Sequence, residues 1–472
     1  MTFASTLGEL RAAGYPDRSV KDELRSNLLA RLRSGERLFP AIVGYEDSVI
    51  PAIERAVLAG HDIIVLGERG QAKSRMMRYL VELLDEQIPV ITGCEVHDHP
   101  YHPICARCRD LVSVEGDATP VSWIGRDLRY SEKLATPDVS VADLIGDVDP
   151  IRVAEGRYLG DELTIHYGLV PRTNRGILAL NELPDLPERI QVALLNILEE
   201  RDIQIRGYKI RLPLDLMLIA SANPEDYTHR GRIITPLKDR FGTQVRTHYP
   251  QRIEDEIAIM DQEARPAPEG IAVHVPHYLK EVLAAFAAEL RSSSQVNQRS
   301  GVSVRFSIGA LETVVASALR RAVLNGEPEA VPRPSDLYAV IEGSLGRIEF
   351  DTLEEGREPD ILERALKDSV LQVWQRSLAG EDFGPLLQSF ENGLRIETTD
   401  VMGANEFLRQ FATDEIAGSI QRLQQRLGVE EITSPSRASA LEFCLEGLHL
   451  TKRLNKTGPR GSGRVRFAAR GA

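Results

Sequence analysis

Residues 62–84, DIIVLGERGQAKSRMMRYLVELL, constrain the fold more than any other stretch. An apolar run, a turn rich in glycine and an amphipathic run stand in the order strand, loop, helix. Within it Gly67-Glu68-Arg69-Gly70-Gln71-Ala72-Lys73-Ser74 fits the spacing G-x-x-x-x-G-K-[ST], with Ala72 in place of the second glycine. The chemistry explains the spacing. Backbone N–H groups must turn inward around phosphate oxygens, Lys73 must reach the β and γ oxygens of ATP, and Ser74 must offer its hydroxyl to Mg²⁺. The alanine methyl is tolerated if φ there is negative or the loop relaxes slightly. The bland alternative is a strand-to-helix turn that happens to hold glycines and a lysine.

Further apolar runs, GILAL at Gly176–Leu180 and LDLMLIA at Leu214–Ala220, flank a helix expected over Leu186–Arg201. Strands alternating with helices imply an α/β fold, with a parallel sheet covered on both faces. The first of these strands is expected beside the P-loop strand and ends in Asn181-Glu182. Glu182 is placed to polarise an attacking water. Asn181 reaches a metal-bound water through its amide oxygen but brings no charge, so Mg²⁺ affinity or turnover is expected to be lowered. Capping of the following helix, which Leu183-Pro184 resembles, is the alternative role for the pair.

The length of 472 residues, 42% of them hydrophobic, suggests three folding units. No run approaches the ~20 apolar residues that cross a bilayer, and the start lacks the order of a secretory signal, so a cytoplasmic protein away from membranes is expected. Ahead of the core, residues 1–40 read as an N-terminal helical segment, and 41–246 carry the α/β pattern. After about Arg246 only helical spacing is apparent, giving a helical lid over 247–350 and a helical region over 351–450, with FDTLEEGREPD as the boundary between them. The net charge of −13 conceals a basic end: residues 451–472 hold seven Lys/Arg and no acid, leaving the first 450 with 50 basic against 70 acidic side chains. Nucleic-acid binding by the acidic body is not expected. The tail either touches an anionic partner or, the reading preferred, is a disordered solubilising end.

Three of the four cysteines crowd into CEVHDHPYHPICARC, residues 94–108. A disulfide framework is not expected from so few cysteines. Cys94, Cys105 and Cys108 are candidate Zn²⁺ ligands with the fourth unassigned; the alternative is a polar loop with reduced thiols and solvated histidines.

These segments together resemble the AAA+ ATPases, in the branch of the magnesium chelatase ATPase subunit and the MoxR-type ATPases. IVGYE, residues 42–46, resembles the motif packing near adenine, which implies that Val43 and Gly44 lie by the nucleotide. ADLIGDVD through YGLVPRTNRGILALNELPDL, and then NILEERDIQIRGYKIRLPLDLMLIASANP, are similar to the segments carrying that branch's two hairpin inserts and its sensor strand. ITPLKDRFG resembles the arginine-finger turn. The resemblance, over about residues 38–350, implies that Asn223 senses the γ-phosphate and that Arg240 reaches a neighbour's nucleotide. It gives Arg305 as a lid sensor, with an ordinary surface arginine as the alternative. It further implies a hexameric ring, a von Willebrand factor A-type partner protein, and an ATP-driven output of partner remodelling or metal insertion. Two other readings stand beside it: a slow or non-hydrolysing nucleotide-binding scaffold, motivated by Asn181, and a DNA-acting motor or transcription activator, motivated by the basic tail and the inserts.

Overall fold

The computed structural model describes residues 3–148, 162–200, 212–223, 233–265, 268, 270–297, 301–351, 356–378, 380–411, 422–428, 433–458 and 464–470. Two compact units, Met1–His248 and Tyr249–Ala472, take the place of the three expected.

The first unit opens with helices Leu7–Ala12, Val20–Ser34 and Val49–Leu58. The second of these starts at Ser19, whose hydroxyl accepts from the Asp22 N–H, and stops at Gly35 in the left-handed region. The strands that follow are β1 (Ile63–Leu66), β2 (Gln87–Ile91), β3 (Val121–Gly125), β4 (Tyr130–Leu134), β5 (Gly146–Val148), β6 (Ile165–Tyr167), β7 (Gly176–Asn181), β8 (Leu216–Ala222) and β9 (Thr243–Arg246). Five of them form a parallel sheet in the order β4-β7-β8-β1-β9.

Each central strand is apolar up to its C-terminal end because both of its faces are covered. Ile63 and Val65 join Ile177, Ala179, Met217 and Ile219 in one core, while Ile64 and Leu66 join Leu178, Leu180, Leu218 and Ala220 in the other. One expectation needs correction here. β7 does not lie beside the P-loop strand; β8 separates them, with Ala179 opposite Ile219 and Ile219 opposite Ile63. Adjacency in a parallel sheet follows the path of the crossover connections, which apolar runs alone do not encode.

β2 and β3 form a separate antiparallel pair in the stretch between the P-loop helix and β4, and this stretch includes the cysteine-rich loop and helix Ala106–Glu115. β5 and β6 pair antiparallel as the stem of the first expected hairpin insert. The middle of that insert (149–161), most of the second (201–211) and Pro224 lie outside the described residues. The helix expected over Leu186–Arg201 is Glu188–Glu200.

The second unit is mainly helical, but not only helical. Helices Ile253–Glu263, His277–Ser292, Val304–Asn325 and Glu358–Leu378 share one core that runs from Ile257 to Phe467. The expected boundary near residue 350 therefore does not divide the core. The short strands β10 (Ala272–Val273) and β11 (Glu329–Ala330) pair in parallel. β12 (Ile396–Thr399), β13 (Leu454–Thr457) and β14 (Arg464–Ala469) form an antiparallel sheet in the order β12-β14-β13. This corrects the expectation of a disordered tail. Phe467 is fully buried, and Arg464 and Arg466 both bind Glu397 on the neighbouring strand, so part of the tail's charge is paired across the sheet.

Candidate nucleotide-binding site

The glycine turn between β1 and helix Lys73–Tyr79 is shaped by close approach and by left-handed backbone. A Cβ on Gly67 would run into the Thr247 hydroxyl and the Gln71 side chain. Gly70 takes φ +76. Ala72 takes φ +55, not the negative value that would have made its methyl harmless. The alanine thus occupies the left-handed conformation that the missing glycine would adopt freely, at a cost of about 1 kcal/mol. Gln71 braces the loop: its Oε1 accepts from the Glu68 N–H at 3.0 Å and from Thr247 Oγ1 at 2.6 Å. Tyr45, next to Val43 and Gly44, donates its hydroxyl to the Gln71 carbonyl (3.2 Å) and the His248 carbonyl (2.7 Å), tying the IVGYE motif to the loop. Burial pushes the Tyr45 phenol up, which keeps it a donor.

Lys73 and Ser74 meet partners delivered by two other strands. The Lys73 ammonium donates to the carbonyls of Gly67 and Glu68 and, at 2.7 Å, to Asn223 Oδ1 at the end of β8. Ser74 Oγ donates to Asn181 Oδ1 at 3.0 Å. The structure thus brings Lys73, Ser74, Asn181 and Asn223 together from three sheet positions. Arg69 belongs to the same loop.

Two residues absent from the sequence-based expectation complete this network. Ser221 on β8 donates to Asn181 Oδ1 at 3.1 Å and accepts the Glu182 N–H at 3.2 Å. Glu132 on β4 accepts the Asn181 amide N–H at 2.6 Å. Arg78, from the P-loop helix, donates twice to Glu132 at 2.7 and 2.9 Å, and this guanidinium holds the Glu132 carboxyl below its ordinary range. A carboxylate accepts only, so Asn181 must turn its NH₂ toward Glu132 and its oxygen toward Ser74. Glu132 was findable only as an acid in the middle of the strand YSEKL, a weak signal without the sheet order.

Glu182 takes φ +57, rare for a side chain larger than glycine, and leads into the short turn Leu183–Asp185. Its side chain makes no capping hydrogen bond, so the capping alternative has no support at Glu182. Arg240 ends the short helix Thr235–Arg240 on the surface and pairs with Glu199 at 2.7 Å and Asp239 at 3.5 Å. Arg305 is exposed in the first turn of helix Val304–Asn325, in the second unit, where its N–H donates to Ser303 Oγ at 3.2 Å.

The sigma-54 interaction domain family matches residues 153–240. The magnesium-chelatase 38 kDa subunit of Rhodobacter capsulatus is 30% identical over 226 residues, covering 47% of this chain and 59% of that protein. Over about half its length the chain is thus similar to magnesium-chelatase subunits. The magnesium-chelatase subunit ChlI of Nephroselmis olivacea is 27% identical over 237 residues, covering 48% of this chain and 61% of that protein. The chain thus spans less than two thirds of the length of these magnesium-chelatase relatives. A structure of the complex between magnesium-chelatase subunits BchI and BchD, based on a single-particle cryo-EM reconstruction, aligns with 70% of this chain and 98% of that one at 23% identity and a TM-score of 0.36. Among the described residues, no helix is long and apolar enough to cross a membrane.

Proposed function

We propose that the chain binds and hydrolyses ATP as an AAA+ motor of the chelatase/MoxR kind, acting on a partner protein from within a ring. The observation that carries this reading is the meeting of Lys73, Ser74, Asn181 and Asn223 around one loop, with Glu182 following directly on β7. Lys73 is within reach of phosphate oxygens laid along the loop, and an ammonium there forms charge-assisted hydrogen bonds. Asn223, already bonded to Lys73, is the polar group at the γ-phosphate position. Glu182 orients and polarises the water.

The donor set fits Mg²⁺. Ser74 Oγ and Asn181 Oδ1 converge at 3.0 Å, both oxygen donors of the kind hard cations take. Ser74 would hold the ion directly and Asn181 through water; when bound, it neutralises developing phosphate charge. Asn181 itself is neutral, and the nearby carboxylate, Glu132, lies one strand further out and is paired with Arg78.

Arg240 is the finger in this reading, exposed and ready to exchange Glu199 for a phosphate of the adjacent subunit, which makes an assembled ring, six-membered as in the resemblance, the active form. Arg305 is assigned to the lid. A von Willebrand factor A-type protein is the proposed partner, with remodelling of that partner or metal insertion as the output. None of the four cysteines is in a disulfide, which fits a reducing compartment such as the cytoplasm.

The test is ATP binding and phosphate release measured side by side. Lys73→Ala is expected to weaken ATP binding about ten- to hundredfold, the loss of a charge-assisted contact. Glu182→Gln is expected to bind ATP normally while release falls about 10²- to 10⁴-fold. Equal background release from the native chain and Glu182→Gln would favour the non-hydrolysing scaffold, the reading that Asn181 motivates.

A further inference from the structure

The loop between β2 and helix Ala106–Glu115 gathers four side chains that the nucleotide site does not use. Cys94 Sγ, a carboxylate oxygen of Asp98, Cys105 Sγ and Cys108 Sγ all lie within 4.8 Å of one another. Asp98 and Cys108 are wholly buried, and Cys105 nearly so. None of the three cysteines is in a disulfide.

Asp98 is the telling member. Its Oδ2 accepts the Cys105 N–H at 3.0 Å, but its Oδ1, equally buried, has no hydrogen-bond partner. A buried carboxylate oxygen without a donor is costly and rare in a folded protein, and it is relieved by protonation or by a bound cation. The sulfur atoms are prepared for the same purpose. The Asp98 N–H points at Cys94 Sγ (3.3 Å) and the Cys108 N–H at Cys105 Sγ (3.4 Å), contacts that a thiolate accepts more strongly than a thiol. No histidine nitrogen belongs to this group of atoms; His102 Nε2 bonds Asp17 at 2.7 Å, and the His99 ring packs obliquely between Tyr101 and His102.

We propose that Cys94, Asp98, Cys105 and Cys108 form a structural Zn²⁺ site in which Asp98 is the fourth ligand. Three soft sulfurs and one oxygen suit a borderline-soft divalent ion in tetrahedral coordination and do not suit Mg²⁺ or Ca²⁺. Four protein ligands leave no open position, which makes the site structural and not catalytic. Binding releases the thiol protons and joins the end of β2 to the first turn of helix Ala106–Glu115, where Cys105 and Cys108 stand. The same loop carries Tyr101, whose hydroxyl donates to the carbonyls of Leu10 and Tyr15, so the ion also fastens the N-terminal segment. The site is independent of the ATPase reading.

The full-length chain, purified without a metal-binding tag, is analysed for total metal, and the metal is then released with a mercurial thiol reagent against a zinc indicator. About one zinc per chain, freed as the thiols are blocked, is the expected result. The apo chain reconstituted with Co²⁺ is expected to show a sulfur-to-cobalt charge-transfer band and the strong visible bands of a tetrahedral site. Asp98→Ala is expected to keep the charge-transfer band while its visible bands shift, because water replaces one donor. Cys105→Ser/Cys108→Ser is expected to lose the metal. Less than about a tenth of an equivalent of zinc in the native chain, with no charge-transfer band on adding Co²⁺, overturns the site. Iron in place of zinc overturns the choice of metal, and an Asp98→Ala spectrum identical to that of the native chain overturns the fourth ligand. The native chain decides the first two points even if a variant fails to fold.

Discussion

Asn181 donates its side-chain N–H to Glu132 at 2.6 Å while its carbonyl oxygen accepts from Ser74 at 3.0 Å, so one amide couples a carboxylate on β4 to the hydroxyl of the P-loop helix. An aspartate at 181 would set two carboxylates against each other; an asparagine turns the same contact into a hydrogen bond and fixes which of its ends faces the loop.

That coupling has a measurable consequence. Glu132→Gln is expected to raise the Mg²⁺ concentration needed for half-maximal binding of a fluorescent ATP analogue by about tenfold, the equivalent of about 1.4 kcal/mol. Asn181→Asp alone is expected to impair folding or binding through like-charge repulsion. Combining it with Glu132→Gln is expected to restore the native Mg²⁺ requirement, and additive damage in the double variant would show the contact to be merely structural.

Arg240 is exposed and paired with Glu199, as a group that acts outside its own subunit must be exchangeable. Arg240→Ala is expected to lower hydrolysis by about 10³-fold with ATP binding retained. Mixed with Lys73→Ala, which fails for a different reason, it is expected to recover part of the lost turnover. Mixtures no more active than their components would rule out a finger in trans.

Stability of the first unit depends on a buried ion pair. Arg129, 1% exposed, donates to both oxygens of Glu23 at 2.7 and 2.6 Å, and its Nε donates to the Arg175 carbonyl at 2.8 Å. Glu23→Ala strands the guanidinium without its counter-charge and is expected to cost about 3–5 kcal/mol in chemical denaturation. A loss below about 1 kcal/mol would mean that water or another acid reaches Arg129.

The C-terminal sheet should carry a pH signature. Arg464 first, then Arg466, hold the Glu397 carboxyl down to about 2, from an ordinary value of 4.5. A depressed carboxyl contributes stability that is fully present above its unfolded value and disappears as the pH falls through the folded one. The Tm difference between the native chain and Glu397→Gln is therefore expected to be full at about pH 6 and to close between about 4.5 and 2. A constant gap would place the effect outside this charge.

What the chain's order of residues determined by itself was local. The P-loop, the apolar strands around it and the N–E pair after GILAL are contiguous, and each element's backbone follows from nearest neighbours and a period of alternation. The tail's RVRF alternates basic and apolar side chains, the period of a strand, but its burial depends on the partner strand at Ile396–Thr399. Tertiary structure decided everything that depends on which segments lie side by side: β8 standing between β1 and β7, Glu132 reaching Asn181 from a strand about fifty residues upstream, and Asp98, not a histidine, turning into the cysteine cluster. Such pairings are set by crossover paths and by the burial of polar groups that must find a partner, and neither leaves a periodic trace along the chain.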